Sequence, residues 1–332
     1  MIRCLVFTTQ GRLQTTDLDP SLIGSVVADP HLFVWVDLES PSPQVTKTIL
    51  EDTFHFHPLS IEDCVNPTPS PKVEEYLPRE GDQFTPYLFI AVHEVDYRRN
   101  GGAFATSELN LFLGSNFLVT FHEPAMRCVT QTVESALKGT MRATRAPDRL
   151  VHALLDSMVE NCKPALDEFT LAIAELEQMA LQESGQETLN RILKAKKEVV
   201  HLRQIIGPEQ EVLARFARGE FKLVRPHLVP YFRDVYDALF YISQLAQSYA
   251  DSLTGTLQAF LSVSSNQTGE VVKLLTLITV ITTPLMMVGT WYGMNFKYMP
   301  ELSSPNGYLL ALAVTLFSTL GVVWYFKKKK WF

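Results

Sequence analysis

Apolar positions take three different spacings in turn along this chain of 332 residues. Up to about residue 125 they fall in short β-rich runs: Leu5-Val-Phe-Thr8, Leu32-Phe-Val-Trp-Val36, Tyr87-Leu-Phe-Ile-Ala-Val92, Leu109-Asn-Leu-Phe-Leu113 and Phe117-Leu-Val-Thr-Phe121. The last two flank Gly114-Ser115-Asn116, turn residues that read as a hairpin. Pro43 to Phe54 has helical spacing and Pro67 to Pro71 forms a proline-rich loop, so residues 1–146 are expected to make an α/β domain with a mixed sheet. From residue 147 the pattern is helical, and two stretches, Ala165 to Gly207 and Tyr231 to Thr283, contain no proline. In the second, Leu239, Ile242, Leu245, Tyr249, Leu253, Leu257, Phe260 and Leu261 recur every three or four residues, a stripe for packing against neighbours. This predicts a long-helix stalk over 147–270 that enters the next segment without a loop; the alternative is two helices broken near Gly269.

The third regime is continuous. Leu274 to Phe296 and Tyr308 to Phe326 are uncharged runs of 23 and 19 residues, long enough to cross a hydrocarbon core of about 30 Å as helices. A membrane hairpin is predicted, with spans at 271–296 and 308–326, a connection at 297–307 and a basic tail at 327–332. Four lysines, Lys327 to Lys330, follow the second span, while Lys297 in the connection is offset by Glu301. The positive-inside rule then places both chain ends in the cytoplasm of a cell whose inner membrane holds the hairpin, with 297–307 outside.

Charge divides the chain along the same line. Residues 1–270 carry 23 Lys+Arg against 35 Asp+Glu, while 271–332 carry 6 against 1. An acidic body disfavours nucleic acid as a partner and suits cations, although any soluble surface benefits from net charge. Cys4, Cys64, Cys128 and Cys162 are scattered without a C-x-x-C pair, the usage of reduced thiols rather than a disulfide framework or zinc cluster. The opening Met1-Ile-Arg-Cys-Leu-Val-Phe7 is too short to be the core of a secretory signal.

Within the first span Thr276, Thr279, Thr283, Met286 and Thr290 follow spacings of 3, 4, 3 and 4, one stripe of a helix. Such a stripe could line a water-filled path; equally, the hydroxyls could bond their own helix or glue neighbouring helices. Pro284 frees one backbone carbonyl at membrane depth. Glu270 and Glu301 bound a stretch with no carboxylate, and no His follows His227 and no Cys follows Cys162. An ion here meets only neutral oxygens and thioethers, which are poor ligands for tightly bound zinc or copper. Magnesium keeps its waters, so oxygens that accept hydrogen bonds from a hydration shell suit it. At the end of the span stands Gly293-Met294-Asn295: the glycine allows close backbone approach or positive φ, and the asparagine offers an amide oxygen. Two helices per chain cannot enclose a pore, which implies an oligomer.

Tyr292-Gly-Met-Asn-Phe296 between these spans, together with His57-Pro-Leu-Ser-Ile-Glu-Asp63, Asn66, Pro71-Lys-Val-Glu-Glu-Tyr76, Tyr87-Leu-Phe89, Val229-Pro-Tyr-Phe-Arg-Asp-Val-Tyr-Asp237 and Tyr325-Phe-Lys-Lys-Lys-Lys-Trp331, closely resembles the CorA family of magnesium transporters over most of the chain. The resemblance implies a pentameric, funnel-like channel with Gly293, Met294 and Asn295 as its selectivity filter. It also implies an acidic cluster between subunits that binds cytoplasmic magnesium and holds the gate shut, at positions matching Glu62, Asp63 and Asp234. Magnesium would be both cargo and regulator, with no other cofactor. The chain departs from the family pattern at Gly269 (usually Asn), Gln258 (often an acid), Ala238 (commonly His) and Lys297 (often an acid), and carries an insertion between Tyr76 and Tyr87.

The expectation is a homo-oligomeric channel admitting magnesium, with cobalt and nickel as further candidate ions. A ZntB-type zinc transporter is the nearest rival, and Gly-Met-Asn argues against it. A cytosolic enzyme or receptor tethered by its tail is the rival of another class; it requires a nucleophile, base or cofactor motif, and residues 1–230 hold no G-x-S-x-G, G-x-G-x-x-G or metal-spaced His/Cys group. No G-x-x-x-x-G-K-[ST] is present to power a pump.

Overall fold

The computed structural model describes residues 1–16, 18–66, 70–96, 104–138, 145–182, 185–297, 299–300 and 304–329. Part of the expected Pro67–Pro71 loop, Glu301 in the expected connection and the last residues of the basic tail lie outside this set. The chain divides into two units, one of Met1–Met179 with Glu187–Thr256, the other of Ala180–Gln186 with Leu257–Phe332.

The first unit is built on strands β1 (Ile2–Thr8), β2 (Leu13–Thr15), β3 (Leu32–Glu39), β4 (Lys72–Tyr76), β5 (Tyr87–Asp96), β6 (Ala105–Leu113) and β7 (Phe117–His122), in the order β2-β1-β3-β7-β6-β5-β4. Only β3 and β7 run parallel among these pairs, so the sheet is mixed, as expected. The β6–β7 hairpin turns at Gly114, where a Cβ would stand 2.2 Å from the Phe117 ring; no other residue fits. Between strands lie α1 (Ile23–Val27), α2 (Pro43–Thr46) running into a π-helical stretch Lys47–Thr53, and α3 (Pro58–Val65). Their apolar sides meet one sheet face in a core of Val34, Val36, Leu38, Val119 and Phe112 with Ile23, Ile49, Leu50 and Phe56. Phe56 stacks on Phe112 at 4.3 Å between ring centres, a pairing that adds to the area it buries.

Two short strands were not legible as strands: β2 is only three residues long with none of them buried, and in β4 charged positions flank the one buried residue. The helices α4 (Arg127–Leu137), α5 (Pro147–Gln182), α6 (Gln186–Ala217) and α7 (Val229–Tyr292) follow. Pro164 and Pro208 lie inside α5 and α6 rather than at their ends, and the two helices part near Gly185. Each such proline forfeits one backbone bond, and burial of the surrounding apolar face outweighs that loss. The helices are tied to the sheet and to each other within the first unit: Phe104 packs on Phe169 at 5.1 Å, Asn161 Nδ2 donates to Glu94 at 2.7 Å, and Tyr249 donates to the Leu166 carbonyl at 3.0 Å. Beneath them Trp35 Nε1 donates to Thr120, Thr120 donates to Asp37 at 2.6 Å, and Arg3 and His122 complete the shell of the buried Asp37.

Helix α7 is unbroken over 64 residues, so the alternative of two helices near Gly269 fails. A glycine weakens a helix by about 1 kcal/mol but ends it only when it adopts left-handed backbone, and Gly269 does not. In the second unit, the last part of α7 and helix α8 (Gly307–Lys328) are, among the described residues, the two helices long and apolar enough to cross a membrane. Their large apolar side chains are uncovered: Leu274 is 60% exposed, Met287 71%, Phe317 73%. Core helices of a soluble protein would be buried, so these surfaces need lipid or further protein against them.

Candidate ion-conducting site

Helix α7 places the threonine stripe by its own periodicity. Thr279, Thr283, Met286 and Thr290 are exposed on it and Thr276 is half-buried. Three of the four hydroxyls turn their protons inward: Thr276 donates to the Val272 carbonyl at 2.8 Å, Thr279 to Leu275 at 2.9 Å and Thr283 to Thr279 at 2.7 Å. Sequence alone left open whether these groups would bond their own helix or face water. They do the first without forgoing the second, because a hydroxyl that has donated its proton still has lone pairs to offer. The outward chemistry of this face is therefore that of an acceptor, which matches the hydrogens of a hydration shell. Pro284 lacks an N–H, leaving the Val280 carbonyl without its helical donor and adding another acceptor at the same level.

The helix stops at Tyr292, so Gly293, Met294 and Asn295 lie just past its end rather than within it. Gly293 N donates to the Gly289 carbonyl at 2.9 Å and Met294 N reaches Trp291 O at 3.4 Å, which closes the last turn. Of the two properties a glycine could supply here, the structure uses close approach: φ is ordinary, and a Cβ on Gly293 would stand 3.0 Å from the Gly289 oxygen. Met294 and Asn295 are exposed.

The acidic residues sit in the first unit. Helix α3 begins at Pro58, capped by His57 Nδ1 accepting from Leu59 N at 3.2 Å, and carries Glu62 exposed and Asp63 half-buried on its last turn. Asp63 is paired with Lys72 of β4, Oδ2 to Nζ 2.5 Å. Asp234 is exposed on the first turns of α7. Arg225, a little upstream, binds Asp148 through two nitrogens at 2.8 and 2.5 Å. Among the described residues, no three His, Cys, Asp or Glu gather closely enough to hold a metal ion within one chain. Glu62, Asp63 and Asp234 are thus not brought together in a single copy.

Sequence reading overlooked Asp156 of α5. Burial pushes its carboxyl upward, and the charges of Glu160 and Asp234 act in the same direction while His152 opposes them. His152 itself is held down by burial. Nothing in a lone Asp on an amphipathic helix marks it; only the packing of α5 against α7 places it under the field of Asp234.

A profile of the family described as "CorA-like Mg2+ transporter protein" matches residues 31–328. A "Cobalt/magnesium transport protein CorA" of Thermotoga maritima is 34% identical over 321 residues, covering 96% of this chain and 88% of that protein. Among solved structures, the complete CorA magnesium transporter of Methanocaldococcus jannaschii superposes with a TM-score of 0.83 at 18% identity, over 100% of this chain and 99% of that one. The ZntB cytoplasmic domain of Vibrio parahaemolyticus superposes less well, TM-score 0.59 at 14% identity, over 80% of this chain and 98% of that one.

Proposed function

Because the chain belongs to the family of CorA-like Mg2+ transporters, we propose that it is a membrane channel through which hydrated magnesium enters the cytoplasm, with cobalt and nickel as further cargo. The observation that carries this reading is the acceptor character of α7 at Thr276, Thr279 and Thr283. From Leu274 to Phe296 no side chain is charged, and the protons of these three threonines are spent inside the helix, so a cation that keeps its waters finds partners while none strips it. Thr276, Thr279, Thr283, Met286 and Thr290 line the path, and Gly293, Met294 and Asn295 form the filter at its outer end. Residues 1–146 and the stalk 147–270 face the cytoplasm with both termini. A single hairpin encloses nothing, so several copies, five by family likeness, surround the axis. The driving force is the membrane potential, about 2.3 kcal/mol per charge per 100 mV.

Glu62 and Asp63 of one copy and Asp234 of the next form the regulatory site, and Asp156 belongs to the same charged neighbourhood. Carboxylates held together repel; a divalent cation between them relieves the repulsion and favours the closed arrangement. Their scatter within one chain supports an assembly between copies over a site inside each.

Purified protein in liposomes tests the reading: magnesium uptake rises with inside-negative potential and collapses in Asn295→Ala. Zinc flux exceeding magnesium flux would establish the ZntB-type rival, and uptake untouched by the substitution would remove Asn295 from the filter.

A further inference from the structure

Helix α8 carries a column of residues that the ion path does not use. Phe317, Gly321, Trp324 and Lys328 follow spacings of 4, 3 and 4, so they share one face of the helix. Phe317, Trp324 and Lys328 are exposed, and no atom lies within 4 Å of the place a Cβ on Gly321 would take. The glycine therefore leaves an open notch between two large side chains. Lys328 Nζ lies 5.3 Å from the centre of the Trp324 ring, which holds the ammonium over an aromatic face at the end of the apolar span. Tryptophan in that position sits at the level of lipid headgroups. Lys327 and Lys329 flank the ammonium and are exposed. Among the described residues none of the three lysines pairs with a carboxylate, and the sequence holds no Asp or Glu after Glu301.

Close helix–helix contact over a glycine needs further small residues four positions away. Here those positions are Phe317 and Tyr325, which keep a second backbone off the notch and leave room for a hydrocarbon chain. In the channel proposed above α7 lines the path, so α8 is the helix left against lipid. Resting on that reading, we infer that this column binds an anionic phospholipid. Its acyl chain lies over Gly321 between Phe317 and Trp324, and its phosphate meets Lys328, with Lys327 and Lys329 adding to the field. A zwitterionic phospholipid is the weaker guest, because its own cationic group comes to rest beside the lysines. Free phosphate finds the charge but none of the hydrocarbon contact.

Full-length protein in phosphatidylcholine vesicles tests the assignment, with Trp324 as the reporter. Bromine atoms on an acyl chain quench a tryptophan they touch, and the signal missing from Trp324→Phe isolates this one. Phosphatidylglycerol with brominated chains should reach half-quenching at about fivefold lower mole fraction than brominated phosphatidylcholine, the effect of one lysine at an anionic surface. Lys328→Gln brings the two lipids together. Gly321→Leu fills the notch without changing charge and narrows the gap as well. Should either variant fail to assemble, the two-lipid comparison on the unaltered protein decides alone. The readout is lipid contact and not transport, so a chain that conducts no ion and a helix that holds no lipid are told apart. Four outcomes overturn the proposal: equal quenching by the two lipids, no quenching of Trp324 by either, a preference unchanged in both assembled variants, or its loss in millimolar inorganic phosphate but not in chloride of equal ionic strength.

Discussion

Two buried acids set how individual residues respond to pH. Glu209 is 2% exposed on α6, accepts from the His93 amide at 2.6 Å, and burial pushes its carboxyl up to about 8. A carboxyl whose folded value lies above its unfolded value of about 4.5 favours the fold most at low pH, and that contribution is lost as pH rises from about 4.5 to 8. Over the whole interval the loss is roughly 3–5 kcal/mol. Asp37 and His122 act as a pair: burial opposes charge on both, yet their mutual bond, with Thr120 and Arg3, holds Asp37 below the usual carboxylate value, and Asp37 with the Pro124 carbonyl holds His122 up. The Asp37 share disappears as pH falls below the carboxylate range; the His122 share disappears as pH rises past the ordinary imidazole value. Thermal unfolding of the full chain between pH 5 and 9 should therefore show melting temperature falling with pH, and Glu209→Gln should flatten that fall. A slope unchanged by the substitution would mean that Glu209 is ionised in the fold. At the proposed filter, Gly293→Ala puts a methyl 3.0 Å from the Gly289 oxygen. Severalfold slower magnesium uptake with unaltered assembly is expected, and equal uptake would show that the turn has room to spare.

At the level of elements, α7 tolerates Gly269 without breaking. Its surroundings are open, with no atom within 4 Å of the place a methyl would take, so Gly269→Ala should stiffen this part of the helix by about 1 kcal/mol. Hydrogen exchange of the amides around residue 269 should slow by roughly fivefold, and unchanged exchange would mean that the segment is held by neighbours rather than by its own backbone. The five longer strands and both apolar spans could be read from the chain because period-2 or continuous apolar runs and long uncharged runs have few alternative structures. Helix ends were less legible. The stalk expected over 147–270 is several helices, parted near Gly185 where nothing in the periodicity marked an end, and β4, as Lys72-Val-Glu-Glu-Tyr76, hides its one buried residue, Val73, among charges. The threonine stripe was visible as spacing, but the direction of each hydroxyl proton was not, since helical periodicity places a side chain without orienting its hydrogen. The surroundings of Asp156 depend on contacts far apart in sequence and left no local signature.

For the whole molecule, the proposed regulation makes assembly and cation occupancy one equilibrium. Carboxylates on facing copies destabilise the closed ring until a divalent ion joins them, so millimolar magnesium should slow limited proteolysis of the intact particle, and Asp234→Asn should reduce that protection. Equal protection in the variant would take Asp234 out of the sensor. The inward-turned hydroxyl protons of α7 have one more consequence. Chloride and other anions are solvated by donors, and at Thr276, Thr279 and Thr283 they would meet only oxygen lone pairs. If this stretch borders the conduit as proposed, anions should be refused there without any fixed negative charge, and the refusal should persist in concentrated salt, where a ring of carboxylates would be screened within a few ångströms.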